Sequence, residues 1–229
     1  MIRERYPVLK GFCSVNLLYP NQSSFTHLGT KHFVMEIAVV DYRGGNVQSV
    51  LFALERLGAH ATLTADPEVL RRADKVLFPG EGEASSAMQA LRETGLDQVL
   101  PTLTQPFLGI CLGMQLLGLH SDENDTPMLG LLPFHVRRFV PDADHKVPHM
   151  GWNNLQVLRG PLFEGLTEDD HVYFVHSYYA PIGDYTMAQA AHPAAFSAAV
   201  QHRNFHGVQF HTEKSAAVGT RILANFLAI

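Results

Sequence analysis

The sequence is poor in cysteine, in long apolar runs and in positive charge. Its 229 residues contain two cysteines, Cys13 and Cys111, and two distant thiols form neither a disulfide framework nor a ligand set, which favours a reducing cytoplasm. No apolar run approaches the roughly 20 residues of a membrane helix, so we expect no membrane association. The formal net charge of −5 argues against nucleic-acid binding.

Histidine, in contrast, is frequent, with 13 residues in the chain. They form no cluster with the spacing of zinc ligands, so the sequence predicts neither a metal nor another cofactor. The remaining composition, 46% hydrophobic and 17% charged, is that of an ordinary globular protein with one large domain or two small ones.

The first 34 residues read differently from the rest. Prolines and short polar residues interrupt any periodicity there, before a second methionine, Met35, precedes a β-rich apolar run. We interpret residues 1–34 as a disordered extension or a mis-assigned start, and residues 35–229 as the folded domain.

From Met35 onward, strands and helices alternate with short loops, which predicts a mostly parallel sheet covered by helices on both faces. Asn46 is the predicted cap of the first helix. The predicted strands are 36–40, 60–64, 75–78 and the run into Cys111, and the predicted helices are 47–57, a short one opened by 66–68, and 84–93. Later β-like segments without long helices between them predict antiparallel hairpins that extend the sheet: 131–139, 171–174, 194–201 and 207–210. An amphipathic helix at 215–229 closes the chain.

Cys111 lies where a short apolar strand turns through small residues into a helix. Glycines at 109 and 113 remove Cβ atoms that would crowd the apex of such a turn, so the thiol is displayed for attack. The amide groups at the start of the following helix favour a thiolate. The alternative is a small buried apolar residue, the commoner fate of a lone cysteine.

A second apolar strand ends in His211-Thr212-Glu213. If the strand continues, its period of two places His211 and Glu213 on one side, so the carboxylate can orient the imidazole toward a thiol. Such a set activates a nucleophile and returns its proton to the leaving group. Any single histidine among 13 is also a candidate for a surface or core position.

A third segment carries a Gly-x-Gly loop, Gly80-Glu81-Gly82, between a strand and a helix. Glycines let backbone amides turn toward a developing oxyanion, and the Leu112 amide would be a second donor. The alternative is an ordinary strand-to-helix turn.

These motifs resemble those of class I, triad-type glutamine amidotransferases. The runs 107–115 and 207–215 match the nucleophile and histidine motifs of that class. The runs 146–153, 173–179 and 37–42 are similar to those of the glutaminase subunits of imidazole glycerol phosphate synthase. The resemblance spans residues 35–229 and implies a flavodoxin-like, mostly parallel α/β sheet flanked by helices, with added antiparallel strands.

The resemblance also implies roles for individual residues. Glutamine would be hydrolysed through a thioester on Cys111, with His211 as base and acid and Glu213 orienting it. The implied glutamine pocket comprises Gly80, Gly82, Gln115, His176, Ser177 and Tyr178, with backbone oxyanion donors at Glu81 and Leu112. The implied partner interface comprises Lys146, Pro148, His149, Met150, Trp152 and Asn153.

The implied partner is a cyclase subunit with a (β/α)₈ barrel, in a heterodimer. It would receive the ammonia and form imidazole glycerol phosphate and an aminoimidazole carboxamide ribotide in histidine biosynthesis. Two alternatives stay open: a glutaminase of the same class that serves another synthase, and a catalytically dead scaffold partner.

Two positions depart from the family pattern. Thr212 stands where the family has proline, so its φ is not restricted and its amide needs a partner. Glu81 stands where the family has a small apolar residue, and a carboxylate pointing at an oxyanion would oppose catalysis. The acidic residues Asp122, Glu123 and Asp125 are interpreted as a solvated loop.

Overall fold

The computed structural model describes residues 35–44 and 47–229. The predictions for residues 1–34 and for a helix cap at Asn46 therefore lie outside the described residues. Within the described ranges, no helix is long and apolar enough to cross a membrane.

Strands and helices follow the alternation predicted for the first half of the domain. The strands are β1 (Ile37–Val40), β2 (Ala61–Thr64), β3 (Lys75–Gly80), β4 (Phe107–Cys111), β5 (His120–Ser121), β6 (Thr126–Pro127), β7 (His135–Arg138), β8 (His149–Asn154), β9 (His171–His176), β10 (Tyr178–Tyr179), β11 (Thr186–Ala191), β12 (Ala195–His202) and β13 (Phe205–Val208). The helices are α1 (Val47–Arg56), α2 (Pro67–Arg72), α3 (Ala84–Thr94), α4 (Leu96–Val99), α5 (Leu112–Gln115) and α6 (Ala216–Ala228).

Local sequence explains several helix ends. Asp66 caps α2, because its side chain accepts a hydrogen bond of 2.8 Å from the Glu68 amide, and Pro67 occupies the first helical position. Helix α3 ends at Gly95, whose φ of 71° is the left-handed conformation that glycine adopts without strain.

A seven-stranded sheet in the order β11-β12-β13-β4-β3-β1-β2 forms the centre of the domain. The five strands from β13 to β2 are mutually parallel, and β11 and β12 add antiparallel pairing at one edge. Strands β1, β3 and β4 are buried along their whole length, as expected for a parallel sheet covered on both faces. This architecture confirms the predicted α/β fold class.

The prediction that all four later β-like segments extend this sheet was wrong for two of them. Strand β7 belongs to a small sheet of order β10-β7-β5-β6, and β9 pairs with β8 in a two-stranded ribbon. Along β9, residues alternate between buried and more exposed positions, as in a ribbon that packs one face on the core. Strand β13 also differs from the prediction, because it is an interior strand parallel to β4.

Strands β3, β4 and β13 are neighbours in the sheet, and their pairing brings the ends of the three strands together. Gly80 lies opposite Cys111, and Val208 lies opposite Ile110. Parallel strands end at the same edge of a sheet, so the residues that follow these three strands converge there.

Candidate active site

Cys111 is the last residue of β4 and has φ 55° and ψ −112°, a backbone conformation that is rare for a residue with a side chain. Its side chain is buried. A Cβ at Gly113 would lie 1.8 Å from the Phe78 carbonyl oxygen. Glycine at 113 therefore allows the turn to pack directly on the backbone of β3. The sequence suggested a different reason, crowding of the cysteine side chain.

The helix after Cys111 is shorter than expected. Helix α5 ends at Gln115 after four residues, so its dipole is small and contributes less to thiolate stabilisation than a full helix would. The charge on the sulfur must depend mainly on the side chains around it.

His211 and Glu213 form a buried pair, as predicted. The Nδ1 atom of His211 lies 2.7 Å from Oε1 of Glu213, and the two side chains are 6% and 3% exposed. The geometry that joins them differs from the prediction. The strand ends at Val208, and a 3₁₀ turn over Thr212–Lys214 brings the carboxylate back to the ring.

The environment of His211 favours its protonated form. Burial lowers the pKa of His211, but the hydrogen bonds that the ring makes with Cys111 and Glu213 outweigh burial and raise it to about 10. A protonated imidazole between a thiol and a carboxylate is the arrangement that activates a cysteine nucleophile and later supplies a proton.

A cavity of about 630 Å³ opens over these groups. The residues predicted for the pocket that line it are Gly82, Gln115, His176, Ser177 and Tyr178, together with Glu81 and Leu112 of the predicted oxyanion site. Gly80 does not line it; it borders a smaller cleft behind the loop with His211 and Glu213. Gly80 thus lies at the back of the Gly-x-Gly loop and does not face the cavity.

Gln115 donates both of its amide protons to other residues of the protein. Its Nε2 atom donates to the Tyr178 carbonyl oxygen and to Oε1 of Gln209, both at 2.9 Å. Its carbonyl oxygen therefore remains as the group available to a ligand, which makes Gln115 an acceptor in the cavity.

Glu123 is a cavity residue that the sequence interpretation missed. It was assigned to a solvated loop, yet it lines the cavity, and its Oε2 accepts a hydrogen bond of 2.7 Å from the Ala84 amide. Burial raises the pKa of this carboxyl. The turn around Asn124, whose φ is 52°, shapes the loop that carries it, and nothing in the residue pattern distinguished Glu123 from the acids beside it.

The predicted partner interface divides into two faces. Met150 and Trp152 on β8 are 63% and 55% exposed, and Lys146 and Pro148 before them are also exposed. His149 is buried, because neighbouring residues of a strand point to opposite sides.

His149 lies on the buried side of the ribbon, and the half-buried Asn153 lies beside it. The His149 ring stacks on His192 with centroids 4.2 Å apart, and its Nδ1 atom lies 3.0 Å from Nε2 of His176. Asn153 donates to the Ala191 carbonyl oxygen. The burial of His149 leaves its side chain little surface for a partner, whereas Asn153 is half-buried and its place in the interface stays a prediction.

The two departures from the family pattern have different surroundings. Glu81 is exposed at the cavity rim, so its carboxylate has access to solvent. Thr212 is buried, and among the described residues its hydroxyl has no hydrogen-bond partner.

The chain is similar to known proteins over most of its length. The family model for glutamine amidotransferase class-I matches residues 38–229. The chain is 51% identical over 194 residues to imidazole glycerol phosphate synthase subunit HisH of Bacteroides thetaiotaomicron, covering 84% of this chain and 99% of that relative. It is 50% identical over 194 residues to imidazole glycerol phosphate synthase subunit HisH 2 of Legionella pneumophila, covering 84% and 98%.

A solved structure of a glutamine amidotransferase superposes with a TM-score of 0.66 at 22% identity, covering 83% of this chain and 97% of the other. At that identity the likeness concerns the fold alone.

Proposed function

This chain belongs to the class-I glutamine amidotransferases, and from that premise we propose that it is the glutaminase subunit of an imidazole glycerol phosphate synthase. It hydrolyses glutamine to glutamate and ammonia and supplies the ammonia to a cyclase subunit in histidine biosynthesis. The observation that carries the chemistry is the buried set of Cys111, His211 and Glu213, of which Cys111 and His211 line a cavity large enough for an amino acid.

The reaction follows from the positions of these groups. The Cys111 sulfur attacks the side-chain carbonyl carbon of glutamine, and His211 gives its proton to the nitrogen as the C–N bond breaks, releasing ammonia. Water then attacks the thioester with His211 as base, which yields glutamate and restores the thiol. Glu213 keeps the imidazole in the required tautomer through its bond to Nδ1.

Backbone amides stabilise the tetrahedral intermediates in this proposal. Glu81 and Leu112 directly follow β3 and β4, and their amides are the expected oxyanion donors. The Glu81 side chain lies at the exposed rim, so its charge is largely screened by water.

The substrate's α-ammonium group has two matching acceptors in the cavity. They are the Glu123 carboxylate and the free carbonyl oxygen of Gln115. His176, Ser177 and Tyr178 supply the opposite wall. Such a polar wall selects for a free amino acid over a peptide-linked glutamine.

The partner in this proposal is a cyclase subunit with a (β/α)₈ barrel, joined as a heterodimer. Met150 and Trp152 are exposed large apolar side chains on one strand, a composition typical of interface anchors, and Lys146 and Pro148 flank them. We also expect the pair to work in the cytoplasm.

Glutamate release by the full chain, alone and with the cyclase subunit plus its nucleotide substrate, tests the proposal. We expect strong stimulation by the complete complex and its loss in Cys111→Ala. No release under any condition would favour a scaffold role, and release without stimulation would indicate a different synthase.

Docking has its own test. Trp152→Ala should weaken binding to the cyclase by about tenfold to a hundredfold, since a buried interface aromatic contributes on the order of 1–3 kcal/mol. Binding is measured by calorimetry, with Leu119→Ala, an exposed apolar residue outside the predicted interface, as the matched control. Equal affinities of both variants would place the docking face elsewhere.

A further inference from the structure

Gln209 is a buried polar residue beside the nucleophile to which the mechanism above gives no role. It follows β13 directly and lies next to Cys111, because Val208 pairs with Ile110 in the parallel register. Its side chain is 0% exposed. A buried amide is unfavourable unless its donors and acceptors are partnered, so its partners indicate what it does.

The partners of Gln209 lie on its two sides. Its Oε1 accepts a hydrogen bond of 2.9 Å from Gln115. Its Nε2 lies 3.8 Å from the Cys111 sulfur, within the range of a hydrogen bond to sulfur. Among the described residues, this sulfur is the acceptor that the Gln209 amide group reaches.

The direction of the Gln209 amide is determined by its neighbours. The Tyr178 carbonyl oxygen only accepts hydrogen bonds, so the Gln115 atom facing it must be Nε2. The same Nε2 faces Gln209, so Gln209 must present its oxygen there and its NH₂ group to the sulfur. Neither amide can flip without placing two donors or two acceptors together.

We infer that Gln209 is a catalytic hydrogen-bond donor to the Cys111 sulfur, and that Gln115 and the Tyr178 carbonyl act as positioning groups that fix its direction. An N–H donor stabilises the negative charge of the thiolate that attacks glutamine and of the thiolate released when the thioester breaks down. Gln209 thereby supplements the one-turn helix α5. The inference rests on Cys111 being the nucleophile of the proposed function.

The experiment compares wild-type protein with Gln209→Met, which keeps the length of the side chain and removes both the donor to the sulfur and the acceptor for Gln115. The full chain is treated with iodoacetamide between pH 5 and pH 10, and labelling of the Cys111 peptide is followed by mass spectrometry, which separates it from Cys13. We expect labelling at pH 7 to slow by about tenfold or more, because a hydrogen bond to a charged group changes an equilibrium by that order. The labelling midpoint should move to higher pH.

Other titratable groups near the sulfur are the same in the wild type and in Gln209→Met, so a difference in midpoint between these two reports the amide. They are His211, Tyr42, Glu81, Glu123, His176 and Lys214. In the complex with the cyclase, kcat for glutamate release should fall by about ten- to a hundredfold with KM within about threefold, because the donor contacts the sulfur and not the bound amino acid.

Gln209→Glu is the second variant, in case the methionine variant does not fold. It keeps the shape and the acceptor for Gln115 but presents a carboxylate to the sulfur, so it should slow labelling further above pH 7. Gln98→Met, an exposed glutamine on α4, is the control for the substitution itself.

An unchanged labelling profile and kcat in a folded Gln209 variant would overturn the inference and leave Gln209 as a packing residue. The proposed function is judged separately, by glutamate release from the wild type and its loss in Cys111→Ser. A wild type that is active beside a fully active Gln209→Met fails only the inference.

Discussion

Buried histidines in two regions of this protein have opposite charge preferences. At the ends of β4 and β13, His211 has its pKa raised to about 10. In the β8–β9 ribbon, burial lowers the pKa of His149 to about 4 and that of His176 to about 3. All three rings are at least 94% buried, so burial alone does not decide the charge; the neighbours do.

The hydrogen-bond partners explain the contrast. His211 faces a carboxylate and the Cys111 sulfur, and the negative charges of a carboxylate and of a thiolate both favour a cation. His176 donates through Nδ1 to the Tyr178 carbonyl oxygen and receives Nδ1–H of His149 at Nε2, a chain in which both rings are neutral. The ribbon histidines therefore remain neutral and contribute only hydrogen-bond dipoles, whereas His211, after the end of β13, carries the proton that is transferred.

The largest expected effect on turnover comes from removing the protonated histidine, His211. His211→Asn removes the acid and base, and glutamate release by the cyclase complex should fall by at least about 10³-fold. His202→Asn, at an exposed histidine, is the control and should retain full activity. Substantial turnover in His211→Asn would show that another group moves the proton.

Glu213→Gln should lower the pKa of His211 toward the values of the ribbon histidines. The amide still accepts from Nδ1 but carries no charge, so the pKa of His211 should fall from about 10 toward 6.5, and turnover should drop by about ten- to a hundredfold. NMR titration of the His211 ring measures the first effect.

The wild-type stability should respond to this group at high pH. A raised histidine pKa stabilises the fold fully below pH 6.5, and that contribution is lost as the pH rises through about 10. If Glu213→Gln leaves the NMR midpoint of His211 unchanged, the carboxylate is not the source of its charge.

His149→Gln tests whether the neutral ribbon histidines make the stability of the fold depend on pH. In the unfolded chain His149 and His176 bind protons below about pH 6.5, but in the fold only near 4 and 3. Stability should therefore fall as the pH drops from 6.5 to 4, by on the order of 2 kcal/mol for each ring. Burial also lowers the pKa of His206 to about 4, so three rings contribute. The variant should therefore lose about a third of the dependence in urea unfolding, whereas His202→Gln should keep all of it.

The smallest effect should come from Thr212→Pro, which leaves both regions intact. The preceding residue His211 has φ −85° and ψ 104°, an extended conformation that suits a following proline, and the buried unpartnered hydroxyl disappears. We expect a gain of about 0.5–1 kcal/mol in the free energy of unfolding. A loss of stability would mean that the Thr212 amide has a partner it needs.

Much of the site was predictable because it depends on local chain geometry. Gly109 and Gly113 around Cys111 indicate a tight turn, and the alternation of strands and helices predicts a mostly parallel sheet, but not that β13 lies beside β4. The His211–Glu213 pair was predicted for the wrong reason, since a 3₁₀ turn and not strand alternation joins the two side chains.

Other roles depend on contacts between distant parts of the chain. Glu123 reaches the cavity through its bond to Ala84, 39 positions earlier. Gln209 reaches Cys111 across 98 positions. His149 points inward because β8 pairs with β9 in a particular register.

The sequence by itself determined the α/β class, the turn that carries Cys111 and the pairing of His211 with Glu213, because glycine positions, apolar periodicity and short spacings act within a few residues. Only the tertiary structure decided which histidines are charged, which acid enters the cavity and where the Gln209 amide points. Those properties are set by burial and by hydrogen-bond partners that the fold brings together from segments far apart in the chain.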